Sequence, residues 1–212
     1  MSAGNSSQLI RFGTSTWAYE GWQGQVYKKT YPKSRFKQDC LAEYAGYEYK
    51  GQRLFRTVGI DHTFYGPPTI KMLAHYAAQL PAAFQACAKV WEDITVPVFP
   101  SGLRYAKKAG LNPHFLDAQY FIEMVLAPFD DVFRKHTGPF ILEFQRTGLD
   151  PKTFLPKLDH FLGMCPNDTN MRSRRATQPS SAHAIGRFCR PTEPPTSTII
   201  TLPSPPYWSN ML

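Results

Sequence analysis

The run FILEFQ at residues 140–145 decides the fold. Side chains of a β-strand alternate between its two faces, so Phe140, Leu142 and Phe144 share one face while Ile141, Glu143 and Gln145 share the other. Three large apolar groups on one side demand cover by helices, which leaves an acid and an amide turned the opposite way. Three earlier runs read as strands in the same manner: LIRFGTS at 9–15, LFRTVGID at 54–61 and FQACAKV at 84–90. A helical stretch follows each. In 36–47, Phe36, Cys40, Leu41, Tyr44 and Ala45 fall at helical spacing; in 67–80, opened by Pro67 and Pro68, the stripe is Ile70, Leu73, Ala74 and Ala77. Further helices are expected over 115–134, after a long loop, and over 151–162. Strands alternating with helices join through right-handed crossovers into a parallel sheet, open or closed. The expected fold is α/β: a partial (β/α)8 TIM-like barrel of about four βα units with a disordered C-terminal tail, four units being half of that barrel.

The same alternation places Thr57, Gly59 and Asp61 on the inward face of the second strand, and Cys87, Lys89 and Trp91 on that of the third. An acid, a base and an amide thus converge near the strand C-terminal ends. Ionisable groups in a barrel mouth are costly to bury, so they serve a purpose or pair with one another. Asp61, Lys89 and Glu143 are the catalytic candidates, with Lys89 and Glu143 as an acid and base pair for hydrolysis or proton transfer and Gln145 orienting substrate. The competing interpretation is an internal ion pair bracing the barrel. A metal set of Asp61, His62 and Glu143 lacks helix-type ligand spacing, and no metal is expected. Neither a GxGxxG nor a GxxxxGK run occurs, and no cofactor is expected. Glu92 and Asp93 read as solvated loop carboxylates, and His75, His114, His136 and His160 as surface residues.

Lys and Arg number 24 against 16 Asp and Glu, a formal charge of +8. That excess would suit a nucleic acid, but the charges are scattered, and Arg172, Arg174, Arg175, Arg187 and Arg190 in the tail inflate the total. Cys40, Cys87, Cys165 and Cys189 show no CxxC spacing, so neither a zinc site nor a disulfide framework is indicated, and Cys87 reads as a core thiol. The N-terminus has no basic segment followed by an apolar stretch, and no apolar window reaches membrane-spanning length. A cytoplasmic protein with no membrane partner is expected. After Gly163 periodicity gives way to Pro, Ser, Thr and Arg, which divides the chain into a half barrel at 1–163 and a Pro/Ser/Thr-rich tail at 164–212.

Four blocks carry a family resemblance: RFGTSTWAYEGWQGQVY, FRTVGIDHTFYGPPT, AFQACAKVWEDIT and TGPFILEFQRTG. In order and spacing they resemble the DUF72 (YecE-like) family, whose fold is similar to TIM barrels and whose activity is not established. The resemblance implies a pocket at the strand C-terminal ends. Its matching positions are Thr14, Ser15, Trp17 and Trp22 after the first strand, then Asp61, Thr63, Phe64 and Tyr65 after the second. Lys89 and Trp91 follow on the third, and Gln145 on the fourth. His62 stands where the family commonly has a small residue. Of the rings, Phe64 is expected in the core and Trp17 against a ligand.

The family continues with a strand similar to Tyr-Ala-Val-Glu-x-Arg-Asn and later stretches similar to Tyr-Asn-His-Tyr and Leu-x-Glu-Gln-His, none of which this chain contains. Yet NMRSRRAT at 170–177 can be encoded by codons that, read one nucleotide earlier, spell Tyr-Ala-Val-Glu-Ala-Arg-Asn. In the same phase TIIT at 198–201 can come from Tyr-Asn-His-Tyr, and YWSNML at 207–212 from Leu-Leu-Glu-Gln-His-Ala. A frameshift near Met164 is expected to have replaced the second half of the barrel, leaving a truncated and inactive product that self-associates through exposed strand edges. If active, the chain is expected to act on a small or nucleotide-like molecule by hydrolysis or proton transfer. The alternative is a non-catalytic nucleic-acid or sugar binding module that uses aromatic stacking.

Overall fold

The computed structural model describes residues 10–105, 108–144 and 149–166 and the backbone of 171–175 and 198–202. Strand β1 spans Ile10–Thr14, β4 Thr57–Ile60, β5 Gln85–Lys89 and β8 Thr137–Phe144, the four strands expected from the sequence. Helices α1 (Phe36–Asp39) and α2 (Leu41–Gly46) follow β1, α3 (Ile70–Ala77) follows β4, and α7 (Pro151–Met164) follows β8. Between β5 and β8 lie α4 (Glu92–Thr95), α5 (Ala118–Phe121) and α6 (Ala127–Val132). Two short antiparallel pairs complete the chain: β2 (Glu48–Tyr49) with β3 (Gln52–Arg53), and β6 (Val98–Phe99) with β7 (Gly110–Leu111).

Two strands come from the segment expected to lack structure: β9 (Met171–Arg175) and β10 (Thr198–Leu202). β9 pairs in parallel with β8, and β10 with β1, so the sheet order is β10-β1-β4-β5-β8-β9 with all neighbours parallel. The physical reason is the open ladder of N–H and C=O groups at each edge of a partial barrel, which accepts an extended segment whatever its sequence. The β-branched run in TIITL favours that conformation. The rest of 164–212 beyond Pro166 lies outside the described residues.

Phe140, Leu142 and Phe144 are buried against the helices, as alternation requires, while Ile141 and Glu143 stay partly open on the other face. Phe140 meets Phe121 at 5.9 Å and Phe129 at 5.0 Å between ring centres, and Phe144 meets Phe154 at 4.9 Å. The stripe of the first helical stretch, Phe36, Cys40, Leu41, Tyr44 and Ala45, is buried in full. In the second the helix starts later than expected, because the Thr69 hydroxyl caps it by accepting from the Met72 N–H at 3.3 Å. Its buried face is also turned: Leu73 and Tyr76 face the core while Ile70 is 50% exposed. The third helical stretch is interrupted by a π turn at Ile122–Leu126, just ahead of Pro128, which has no N–H to give to the carbonyl four residues earlier. Among the described residues no helix is long and apolar enough to cross a membrane.

Candidate functional site

Strands β4 and β5 run side by side in register, Thr57 opposite Gln85 and Ile60 opposite Ala88. Their C-terminal ends therefore bring Asp61, the first residue of a 3-10 turn at Asp61–Phe64, beside Lys89. β8 runs on the other side of β5, with Lys89 opposite Ile141, and carries Glu143 one inward step beyond. The Lys89 Nζ stands 3.2 Å from Asp61 Oδ1 and 3.0 Å from Glu143 Oε2. The three side chains keep between 25% and 33% exposure, so the group is sheltered but open to solvent. Burial by itself pulls the Lys89 ammonium down, and the two carboxylates outweigh it, leaving its pKa above the ordinary lysine range. Lys89 is accordingly a fixed cation at neutral pH. It can stabilise developing negative charge; a free proton acceptor it is not.

Thr63 locks this arrangement from below. It is 1% exposed, and its hydroxyl lies 2.7 Å from the Ile60 carbonyl oxygen and 2.6 Å from that of Lys89, tying the turn that carries Asp61 to the end of β5. Its hydroxyl, expected at a ligand, is engaged with these two carbonyls. Thr14 is similarly engaged: its N–H and hydroxyl lie 2.9 and 2.8 Å from the Tyr44 hydroxyl, and its hydroxyl donates to the Thr16 carbonyl at 2.7 Å. The Ser15 backbone runs hard against Gly59, whose missing Cβ would lie 2.5 Å from the Ser15 carbonyl oxygen.

The rings expected at the mouth differ in their surroundings. Trp17, expected against a ligand, is 1% exposed, donates its indole N–H to the Lys37 carbonyl oxygen at 2.8 Å, and meets His62 and Tyr76 edge-on. Trp22 is half-buried, stacked with Tyr44 and Phe55 at 6.3 and 6.2 Å. Trp91 is 8% exposed under the Lys108 ammonium, 5.2 Å from its ring centre. Phe64 is in the core, packed with Val96 and Phe99 as expected. Tyr65 alone of these is open, 62% exposed, with the Arg104 guanidinium 4.4 Å from its ring centre. Gln145 lies outside the described residues.

Glu92 and Asp93, expected in solvent, are 4% and 7% exposed. Burying a carboxylate is costly unless a cation and hydrogen-bond donors meet it, and the long loop after β5 supplies both. Arg104 reaches Glu92 Oε2 at 2.8 Å and the Tyr105 hydroxyl donates to the same oxygen at 2.9 Å, while Lys108 reaches Asp93 at 2.7 Å. His136, expected at the surface, is 8% exposed, and its Nδ1 donates to the Phe84 carbonyl oxygen at 2.8 Å. His62 is packed between Trp17 and Tyr76, its Nε2 3.3 Å from the Tyr76 hydroxyl and 3.1 Å from Met72 Sδ. Burial, helped by the nearby Lys37 charge, lowers its pKa from 6.5 to about 4, so it is a neutral ring. Among the described residues no three His, Cys, Asp or Glu side chains are placed to hold a metal.

Two further polar groups belong to the site's surroundings. Arg11 on β1 donates to the Gln85 side chain on β5, on the inward face at the opposite end of the strands. Lys37, on α1, is pulled down by burial while Asp61 counteracts that shift through space. Gln85 shares a face of β5 with Lys89, but a partner on β1 required knowledge of which strands neighbour each other.

No curated protein matches the chain. Among solved structures it is similar to the DUF72 family protein of Enterococcus faecalis V583, at 18% identity and a TM-score of 0.49 over 79% of this chain and 52% of that one. It is also similar to the DUF72 family protein of Thermotoga maritima MSB8, at 16% identity and a TM-score of 0.49 over 79% and 55%. The chain therefore spans about half the length of these relatives. The model of the family described as protein of unknown function DUF72 matches residues 11–176, and with most of its length so matched the chain belongs to that family.

Proposed function

We propose that Asp61, Lys89 and Glu143 form the reactive centre of a hydrolase-like or proton-transfer enzyme, and that this chain carries the centre in an incomplete, inactive form. The observation that carries the reading is the Lys89 ammonium held between two carboxylates at strand ends. Glu143 accepts the proton, Lys89 stabilises the negative charge that develops, and Asp61 holds Lys89 in place; Gln145, the next inward position of the same strand, orients the substrate. The inactive state follows from the displaced frame, which substitutes 164–212 for the wall that should close around Lys89. On that reading 1–163 is the half barrel, cytoplasmic and without a membrane partner.

The nucleotide sequence across Gly163 tests the displaced frame directly. Restoring the frame and assaying both chains on chromogenic esters, phosphates and glycosides tests the chemistry. Turnover is expected from the restored chain alone, and Lys89→Met in that chain is expected to reduce it about 10²-fold, the usual scale for a group acting on proton transfer. Turnover by the present chain, or a Lys89→Met variant of full activity, overturns the reading. Among the described residues β9 and β10 are the outer strands of the sheet, whose outer edges favour self-association, and dimers or larger species are expected in light scattering of the expressed chain; a sharp monomer contradicts this. A second reading, a non-catalytic nucleic-acid or sugar module, is favoured by the open Tyr65 ring with Arg104 stacked on it. Strongly salt-dependent binding to single strands without turnover would select it.

A further inference from the structure

We infer that the Asp61–Lys89–Glu143 centre receives two neighbouring hydroxyl groups of a neutral polyhydroxylated ligand, a sugar or polyol, and not a phosphate. The inference rests on reading that centre as the functional site and names what it holds. An ammonium has three N–H donors, and Lys89 directs them toward Asp61 Oδ1 and Glu143 Oε2, which leaves one for a ligand. Each carboxylate has a second oxygen, Asp61 Oδ2 and Glu143 Oε1, that takes no part in these two ion pairs. Among the described residues the positions left over from these ion pairs thus run acceptor, donor, acceptor at the strand ends. A hydroxyl is both donor and acceptor, so one of two adjacent hydroxyls can donate to Asp61 and its neighbour to Glu143 while either accepts from Lys89.

A phosphate at neutral pH offers almost only acceptors. Toward Lys89 that suits, but its remaining oxygens would meet the two carboxylate oxygens, acceptor against acceptor and charge against charge. Within its ion pairs the trio carries one positive and two negative charges. Among the described residues Lys37 senses Asp61 through space, and Arg104 and Lys108 are held by Glu92 and Asp93. Exposure of 25% to 33% at the three side chains leaves room for the edge of a ring to touch them without removing them from the sheet.

The full chain is titrated with D-glucose and with myo-inositol, both neutral vicinal diols, and separately with inorganic phosphate, each followed by calorimetry and by saturation-transfer NMR. Binding of at least one diol is expected, with no displacement by phosphate. Glu143→Gln turns an acceptor into a mixed group and is expected to weaken diol binding about tenfold, the scale of losing one charged hydrogen bond. Asp61→Asn gives a second reading should the first variant fail to fold, circular dichroism deciding which variants are compared. Phosphate binding that displaces the diol, tighter phosphate than diol, absence of diol binding, or unchanged affinity in the folded variants each overturns the inference. Diol binding by a restored chain that never turns over defeats the catalytic reading and leaves this one standing; turnover of a phosphorylated compound without diol affinity does the reverse.

Discussion

Gly13→Ala is expected to lower the stability of the chain by about 3 kcal/mol or more, at the top of the range for forcing atoms into filled space, whereas Gly46→Ala is expected to raise it by about 0.5–1 kcal/mol. A Cβ added at Gly13 would sit 2.0 Å from the Thr57 carbonyl oxygen, 2.6 Å from its carbon and 2.7 Å from its Cγ2. Two of those atoms are backbone of the neighbouring strand, which is itself paired with β5 and cannot retreat without breaking register. The nearby Gly59, facing the Ser15 carbonyl, meets the same obstacle from the other side, so β1 and β4 approach through paired absences of side chains. Gly46 is different. It ends α2 with nothing within 4 Å of its would-be Cβ and an ordinary backbone, so alanine there only reduces the freedom of the unfolded chain. Denaturant midpoints of the two variants against the parent give the measurement. Equal and small shifts would mean that β1 and β4 are not packed as described, and with them the placement of Asp61 beside Lys89 would fail.

How much of this was readable in advance depends on the kind of information each feature needs. FILEFQ announced its own geometry, because strand alternation is a local property: Phe140, Leu142 and Phe144 are buried and Glu143 faces inward. Lys89 and Asp61 followed from the same rule applied to neighbouring strands, and ion pairs of 3.0 and 3.2 Å bring them together with Glu143. Glu92 and Asp93 were misread because their partners Arg104, Tyr105 and Lys108 lie in a loop without periodicity. Charge alone makes a carboxylate look solvated until a cation at long range is known. The burial of Trp17 was hidden for a related reason: an indole N–H is buried cheaply only if an acceptor is found, and the Lys37 carbonyl is invisible in sequence. The turned face of α3 reflects tertiary packing, since Tyr76 is recruited by Trp17 and His62 rather than by helical spacing. The strands β9 and β10 were missed because an open sheet edge, and not the tail's composition, selects them.

His62 supplies the other large effect, an acid sensitivity that the chain's composition does not suggest. The ring is packed against Trp17 and Tyr76, and burial opposes its protonation, which lowers its pKa from 6.5 to about 4. Between those values the unfolded chain binds a proton that the folded chain refuses, so stability must rise with pH across the window and fall as pH drops through it. The contribution is complete above about pH 6.5 and lost by about pH 4, and integrates to about 3 kcal/mol. His62→Gln removes the titration while leaving a side chain that can accept from the Tyr76 hydroxyl, the partner 3.3 Å away in the parent. Urea denaturation of parent and variant at pH 7, 6, 5 and 4.5 is expected to give curves that converge on acidification, the parent losing stability and the variant much less. Groups that the two proteins share cancel in the difference. A constant difference across the window would mean that His62 is protonated freely in the folded chain. Its ring would then not lie beneath Trp17, and the turn that begins at Asp61 would be held some other way.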